Sequence, residues 1–260
     1  MRRAVFFIGV SKAGVYMRKS GKSILILLIL SLTISFLYEK KPEWYEYIYE
    51  HAPGISNNVS AADMEDIPEY SGIPYVRING NIPHFTEEDL TTVCFETYSD
   101  FDSLGRCQTA YACLGLDTLP TGERGAIGGV KPTGWHTVQY PEVIPDRHLY
   151  NRCHLIAYEL SAENANEYNL VTCTRYMNVS GMLPFENETA EYIKKTGNHV
   201  MYRVTPDFHG SELVCRGMLM EAYSVEDTGE GICFCVYCYN VEPGIVINYK
   251  NGNRKLDTDE

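Results

Sequence analysis

The residues that could do chemistry concentrate between Leu149 and Gly197, in the run LYNRCHLIAYELSAENANEYNLVTCTRYMNVSGMLPFENETAEYIKKTG. Within it Arg152 precedes His154 by two positions, Asn178 follows His154 by 24, and Glu186 follows Asn178 by eight. A neutral imidazole at His154 can take a proton from water near neutral pH. The amide oxygen of Asn178 suits a hard cation such as Mg2+, which takes oxygen ligands and keeps several waters. The acids Glu186, Glu188 and Glu191 could meet those waters, and Arg152 could grip a phosphate oxygen with paired N–H groups. Phosphodiester hydrolysis needs this set: a base for the attacking water, and positive charge where the phosphate and the leaving 3′ oxygen become more negative.

These groups need elements to position them. Tyr150 to Ile156 reads as a strand that sends Arg152 and His154 to one face. Asn169 to Tyr176 reads as a second strand, and Phe185 to Lys195 as a helix whose N-terminal proline is Pro184. Gly181 and Pro184 predict that no continuous helix links Asn178 to Glu186. Strand, loop, strand and helix together make a ββα unit. Upstream, Pro74 to Ile78 alternates as a strand, Asn79-Gly80 signals a turn, and Thr86-Glu-Glu-Asp89 resembles a capping box opening a short helix through Cys94. Arg124 lies in the glycine-rich run PTGERGAIG, where a loop could approach phosphate or simply hold a solvated arginine, and Arg106 has the same two readings. His136, beside Trp135, reads as a core or rim histidine. Gly231 to Val241 has a strand pattern that puts Cys233 and Cys235 on one face and Cys238 on the other. With no second C-x-x-C hook, that pattern argues against a zinc site.

The stretch resembles the DNA/RNA non-specific endonucleases, the ββα-metal nucleases, and within them the bacterial DNA-entry nucleases. The resemblance runs from about Pro74 to Tyr249 and includes FETYSDFDSLGRC at 95–107 and KPTGWH at 131–136. The family motif D-R-G-H stands here as Asn151-Arg152-Cys153-His154, so asparagine replaces aspartate and cysteine replaces glycine. The resemblance implies His154 as general base, Asn178 as direct Mg2+ ligand with Mn2+ as a substitute, Glu186 on the metal's waters, and Asn169 supporting the substrate site. It also implies an α+β fold with a mainly antiparallel central sheet flanked by helices, and DNA and RNA as substrates.

Composition sets the remaining bounds. The 260 residues carry a formal charge of −12, which on its face disfavours nucleic acid. The charge is uneven: +6 over residues 1–22, −11 over 39–122, −1 over 123–203 and −6 beyond. The candidate catalytic stretch is nearly neutral, so a metal ion and a few placed arginines would recognise phosphate. Residues 1–22 form a basic cytoplasmic n-region, and 23–38 a signal anchor or signal peptide. The chain beyond is thus expected outside the cytoplasm of a bacterium, membrane-anchored or secreted. Residues 39–71 read as a stalk, 72–250 as the endonuclease domain and 251–260 as an acidic tail. Nine cysteines in an exported chain suggest disulfides, and the odd count leaves at least one free thiol. An active nuclease serving uptake, scavenging or defence is one reading, with no obligate protein partner evident and DNA-uptake machinery as a candidate one. A catalytically weak surface module that binds nucleic acid on the same fold is the alternative.

Overall fold

The computed structural model describes residues 67–258 apart from 142 and 145–147, together with Met64. The n-region and the segment 23–38 lie outside the described residues, as does most of the stalk. No helix among the described residues is long and apolar enough to cross a membrane.

Among the described residues ten strands form: β1 (Tyr75–Arg77), β2 (Phe95–Tyr98), β3 (Ala110–Leu114), β4 (Tyr150–His154), β5 (Leu170–Thr174), β6 (Val200–Asp207), β7 (Gly217–Ser224), β8 (Cys233–Tyr239), β9 (Ile245–Asn248) and β10 (Asn253–Leu256). Six make the central sheet in the order β1-β8-β7-β6-β3-β2, and β4 with β5 and β9 with β10 form two-stranded ladders. All pairings are antiparallel. The fold is thus a sheet-dominated α+β arrangement, as the resemblance implied.

Side-chain alternation gives the central sheet two different faces. On one, Ala112, Tyr202, Val204, Met218, Met220, Phe234 and Val236 join the main core. The helix α2 (Leu183–Thr196) covers that face with Phe185, Ala190 and Ile193. Phe185 is the wedge: its ring sits 4.9 Å from that of Tyr75 and 5.0 Å from that of Phe234. The opposite face carries the smaller cluster Tyr111, Cys113 and Met201 under Phe85 and Leu90. It also carries a buried ion pair, Arg203 Nε to Glu221 Oε2 at 2.7 Å, with His84 Nδ1 on the other carboxylate oxygen at 2.9 Å.

Three expectations change. Thr86 does bond Asp89 through its amide and hydroxyl, each at 2.8 Å, but one turn forms and no helix follows. The next residues, Thr91-Thr92-Val93, are β-branched and oppose helical propagation. The folded unit also begins earlier than residue 72, since the Pro68 carbonyl accepts from the Tyr239 hydroxyl at 2.7 Å and Tyr70 packs edge-on to Tyr176 and Tyr239. The acidic tail is partly a strand, since Asn253–Leu256 pairs with β9.

Candidate active site

The ββα unit forms as the sequence implied. Strands β4 and β5 pair from Tyr150↔Thr174 to His154↔Leu170. After β5 the chain enters a π-helical turn, Met177–Met182, that runs into α2 with no break, both Met182 and Leu183 being right-handed helical. The expected interruption at Gly181 and Pro184 is absent. In the wide turn the Leu183 amide donates to the Asn178 carbonyl, an i→i+5 bond. One such turn of about 4.4 residues plus one α-turn of about 3.6 spans the eight residues from Asn178 to Glu186. The two side chains therefore lie on one helix face.

His154 is buried and held at both nitrogens. Its Nε2 lies 2.8 Å from the Asn164 carbonyl, which can only accept, so Nε2 carries the proton. Its Nδ1 lies 3.3 Å from Arg124 Nη2, which can only donate, so Nδ1 is unprotonated and accepts that bond with its lone pair. This is a neutral imidazole whose basic nitrogen, Nδ1, faces Arg124. Burial lowers its pKa below the usual histidine value, and the Arg124 charge lowers it too, against the raising effects of the Asn164 carbonyl and Glu159.

Arg124 is brought to this centre from the glycine-rich loop. Its guanidinium lies 5.8 Å from the Tyr158 ring and 3.8 Å from the Glu159 carboxylate, both on the short helix α1 (Tyr158–Ser161). The Tyr158 hydroxyl donates to the Gly122 carbonyl at 3.0 Å, docking the loop on α1. Gly125 leaves room there for Asn164, whose Nδ2 would lie 2.7 Å from a Cβ at this position and would have to shift. Sequence reasoning missed Tyr158, Glu159 and Asn164: their roles come from tertiary proximity, and A-Y-E-L-S carries no motif.

Glu186 sits in the first turn of α2, 7% exposed, with no hydrogen bond to a described residue. Burial pushes its carboxyl up to about 8, Glu159 adds to the rise and Arg124 opposes it. The same two charges thus act on Glu186 and on His154, which places both in one electrostatic neighbourhood. Asn178 offers Oδ1, which lies 3.3 Å from Cys153 Sγ. An amide oxygen and a buried carboxyl lacking a protein partner make an all-oxygen donor set, which fits a hydrated hard cation. Glu188 and Glu191 are exposed and lie apart from this set.

Three expected site residues do other work. Arg152 donates from Nε to the Val130 carbonyl and from Nη2 to the Gly128 carbonyl at 3.0 Å, with its guanidinium 3.9 Å from the Trp135 ring centre. That fork edge fastens the loop to β4 and is not open to a phosphate. Arg106 donates from Nε to Asp102 at 2.6 Å and from Nη1 to the carbonyls of Gly210 and Glu212, joining two loops. Asn169 has no exposed surface; its amide accepts from the Ile156 N–H at 2.8 Å and donates to the Ile156 carbonyl at 2.9 Å. It fixes the turn after His154 and has no surface open in this structure. His136 is a rim residue, its Nε2 2.8 Å from the Asn251 carbonyl.

Comparison with known proteins agrees with this architecture. A deoxyribonuclease from Streptococcus dysgalactiae subsp. equisimilis is 31% identical over 110 residues, 40% of this chain; the match spans about a third (32%) of that relative's own length. NucA from Streptococcus agalactiae, solved without metal and with magnesium bound, shares the fold with a TM-score of 0.65 at 24% identity, over 75% of this chain and 93% of NucA. Sda1 nuclease, solved with a bound zinc ion, aligns with a TM-score of 0.53 at 27% identity, over 63% of this chain and 81% of that one. A model of the DNA/RNA non-specific endonucleases matches residues 87–226, more than half of the chain. The chain belongs to the DNA/RNA non-specific endonuclease family.

Proposed function

We propose that this chain is a magnesium-dependent endonuclease that hydrolyses phosphodiester bonds of DNA and RNA without sequence preference, with His154 as general base. The carrying observation is the buried, singly protonated imidazole whose Nδ1 lone pair stands beside Arg124. Nδ1 takes the proton of the attacking water, while the Asn164 carbonyl holds Nε2–H and keeps the ring in one tautomer. Arg124, 45% exposed at its side chain, turns from Nδ1 and Glu159 to a phosphate oxygen when substrate enters. Asn178 would hold Mg2+, or Mn2+ in its place, and Glu186 would hold the ion's waters. When bound, the ion supplies positive charge for the phosphate and the leaving oxygen. The magnesium bound to NucA and the zinc bound to Sda1 support a metal-dependent reading.

The N-terminal basic and apolar segments support export, with residues 23–38 as anchor or signal peptide and 39–71 as stalk. External protease should then release the catalytic domain from intact cells or spheroplasts.

The decisive assay is plasmid nicking with magnesium or with chelator. The parent should cut only with metal, at a rate that rises with pH through a midpoint below the usual histidine value of about 6.5. His154→Ala should lose roughly 10²- to 10⁴-fold in turnover while still binding DNA. Parental cutting by His154→Ala with the same pH profile would remove the base assignment. Binding without any cleavage by the parent would favour the surface-binding module.

A further inference from the structure

The departure of this chain from the D-R-G-H motif lies beside the candidate metal ligand. Cys153 and Cys173 form a disulfide, with Cα atoms 5.9 Å apart. In register Cys153 faces Val171 and Cys173 faces Asn151, so the bond runs diagonally across the β4–β5 ladder. Both cysteines are buried, and the Cys153 sulfur lies 3.3 Å from Asn178 Oδ1.

The two oxidation states present different atoms to that oxygen. A disulfide sulfur carries no proton and cannot donate to an amide oxygen. A thiol at the same place does donate, weakly. Buried among apolar neighbours, a Cys153 thiol would direct its proton at Oδ1, because leaving it unpaired is the costlier arrangement. The same lone pairs are those a cation would use.

We propose that the Cys153–Cys173 disulfide is a redox gate on Asn178: oxidised, it leaves Oδ1 open to Mg2+, and reduced, it lets the Cys153 thiol cap that oxygen against the ion. The inference rests on the reading of Asn178 as metal ligand. Forming the bond removes two protons and two electrons from the thiols. A small-molecule disulfide accepts the electrons by thiol–disulfide exchange and leaves as two thiols, and a dithiol such as dithiothreitol runs the reaction backwards. Since thiols stay reduced in the cytoplasm and oxidise outside it, the nuclease would be held weak before export and become competent afterwards.

The test titrates Mg2+ calorimetrically into the full chain, oxidised and after dithiothreitol, with thiol state checked by alkylation and mass spectrometry. Mg2+-induced shift of the melting temperature serves as a second readout. Reduction should weaken Mg2+ binding roughly three- to tenfold, the worth of one thiol–amide hydrogen bond. Cys173→Ser keeps the donor and cannot form the bond, so it should bind like the reduced parent whether or not reductant is present. Cys153→Ala has no donor and should bind like the oxidised parent, unmoved by reductant. Equal Mg2+ affinity in the oxidised and reduced parent overturns the gate. So does a Cys153→Ala variant as weak as Cys173→Ser, which would make the bond a strand staple only. Asn178→Ala separates the premise from the inference. Parental Mg2+ affinity in that variant defeats the ligand assignment itself, whereas lost affinity beside a redox-insensitive parent defeats the gate alone.

Discussion

Glu186 allows a sharp test because its stability and its proposed use pull in opposite directions. The carboxyl is 7% exposed, and burial raises its pKa to about 8. In the unfolded chain it titrates at its ordinary value of 4.5. Between those values the folded, metal-free protein keeps a proton that the unfolded chain has released, so stability falls as pH rises through the window. At about 1.36 kcal/mol per unit, the loss from pH 4.5 to pH 7 is roughly 3 kcal/mol. Glu186→Gln keeps the shape and never ionises. Urea unfolding in chelator should show parent and variant alike near pH 4.5 and the variant ahead by roughly 3 kcal/mol at pH 7. Added Mg2+ should narrow the gap, since a nearby cation favours the ionised carboxyl. Parallel stability curves across pH 4.5–8 would mean that Glu186 is already stabilised as an anion without metal. The site reading would then lose its most telling group.

Asn169→Ala leaves the N–H and carbonyl of Ile156 buried without partners and should cost roughly 2–4 kcal/mol in urea unfolding, with turnover per folded molecule kept. Lost turnover at unchanged stability would return Asn169 to the substrate site. Arg152→Lys replaces a planar fork by a point donor that cannot reach two carbonyls while stacking on Trp135. Protease should then cut within residues 122–135 faster, and KM should rise more than kcat falls. A loop as resistant as the parent's would show that Arg152 is not its fastener.

Much of this fold was legible because local pattern and tertiary fate agree. Alternation placed β1 and β8 and separated Cys235 from Cys238, and R-x-H on a strand followed by Asn at a fixed distance marked the ββα unit. The arginines were less legible, since a guanidinium in a glycine-rich loop has the same local pattern whether it faces solvent, backbone or substrate. Arg124 reaches His154 because Tyr158 and Glu159 draw the loop onto α1. Arg152 is turned onto the loop because Val130 and Gly128 present carbonyls to it. In each case the partner that fixes the guanidinium is distant in sequence or carried by backbone, so side-chain type alone does not reveal it. The Thr86–Asp89 contact is the converse case, a cap whose chemistry forms without the helix it usually starts.

The misread interruption between Asn178 and Glu186 has two separate causes. Gly181 is a helix breaker by type, but here its missing side chain answers a packing need. A Cβ would lie 3.3 Å from that of Cys238, so glycine lets the turn pass close over β8. Pro184 lacks an amide proton, and in a regular α-helix its ring would clash with the carbonyl four residues back. The i→i+5 turn immediately before it widens the backbone and shifts that carbonyl aside, so the helix continues through the proline. The wide turn also sets the direction of the donors. In an uninterrupted α-helix, eight residues at about 100° each leave two side chains about 80° apart. With one wide turn included, the same eight residues bring Asn178 and Glu186 back to a common face. The two residues that read as breaks thus accompany the backbone geometry that puts two oxygen donors, two turns apart, on one helix face.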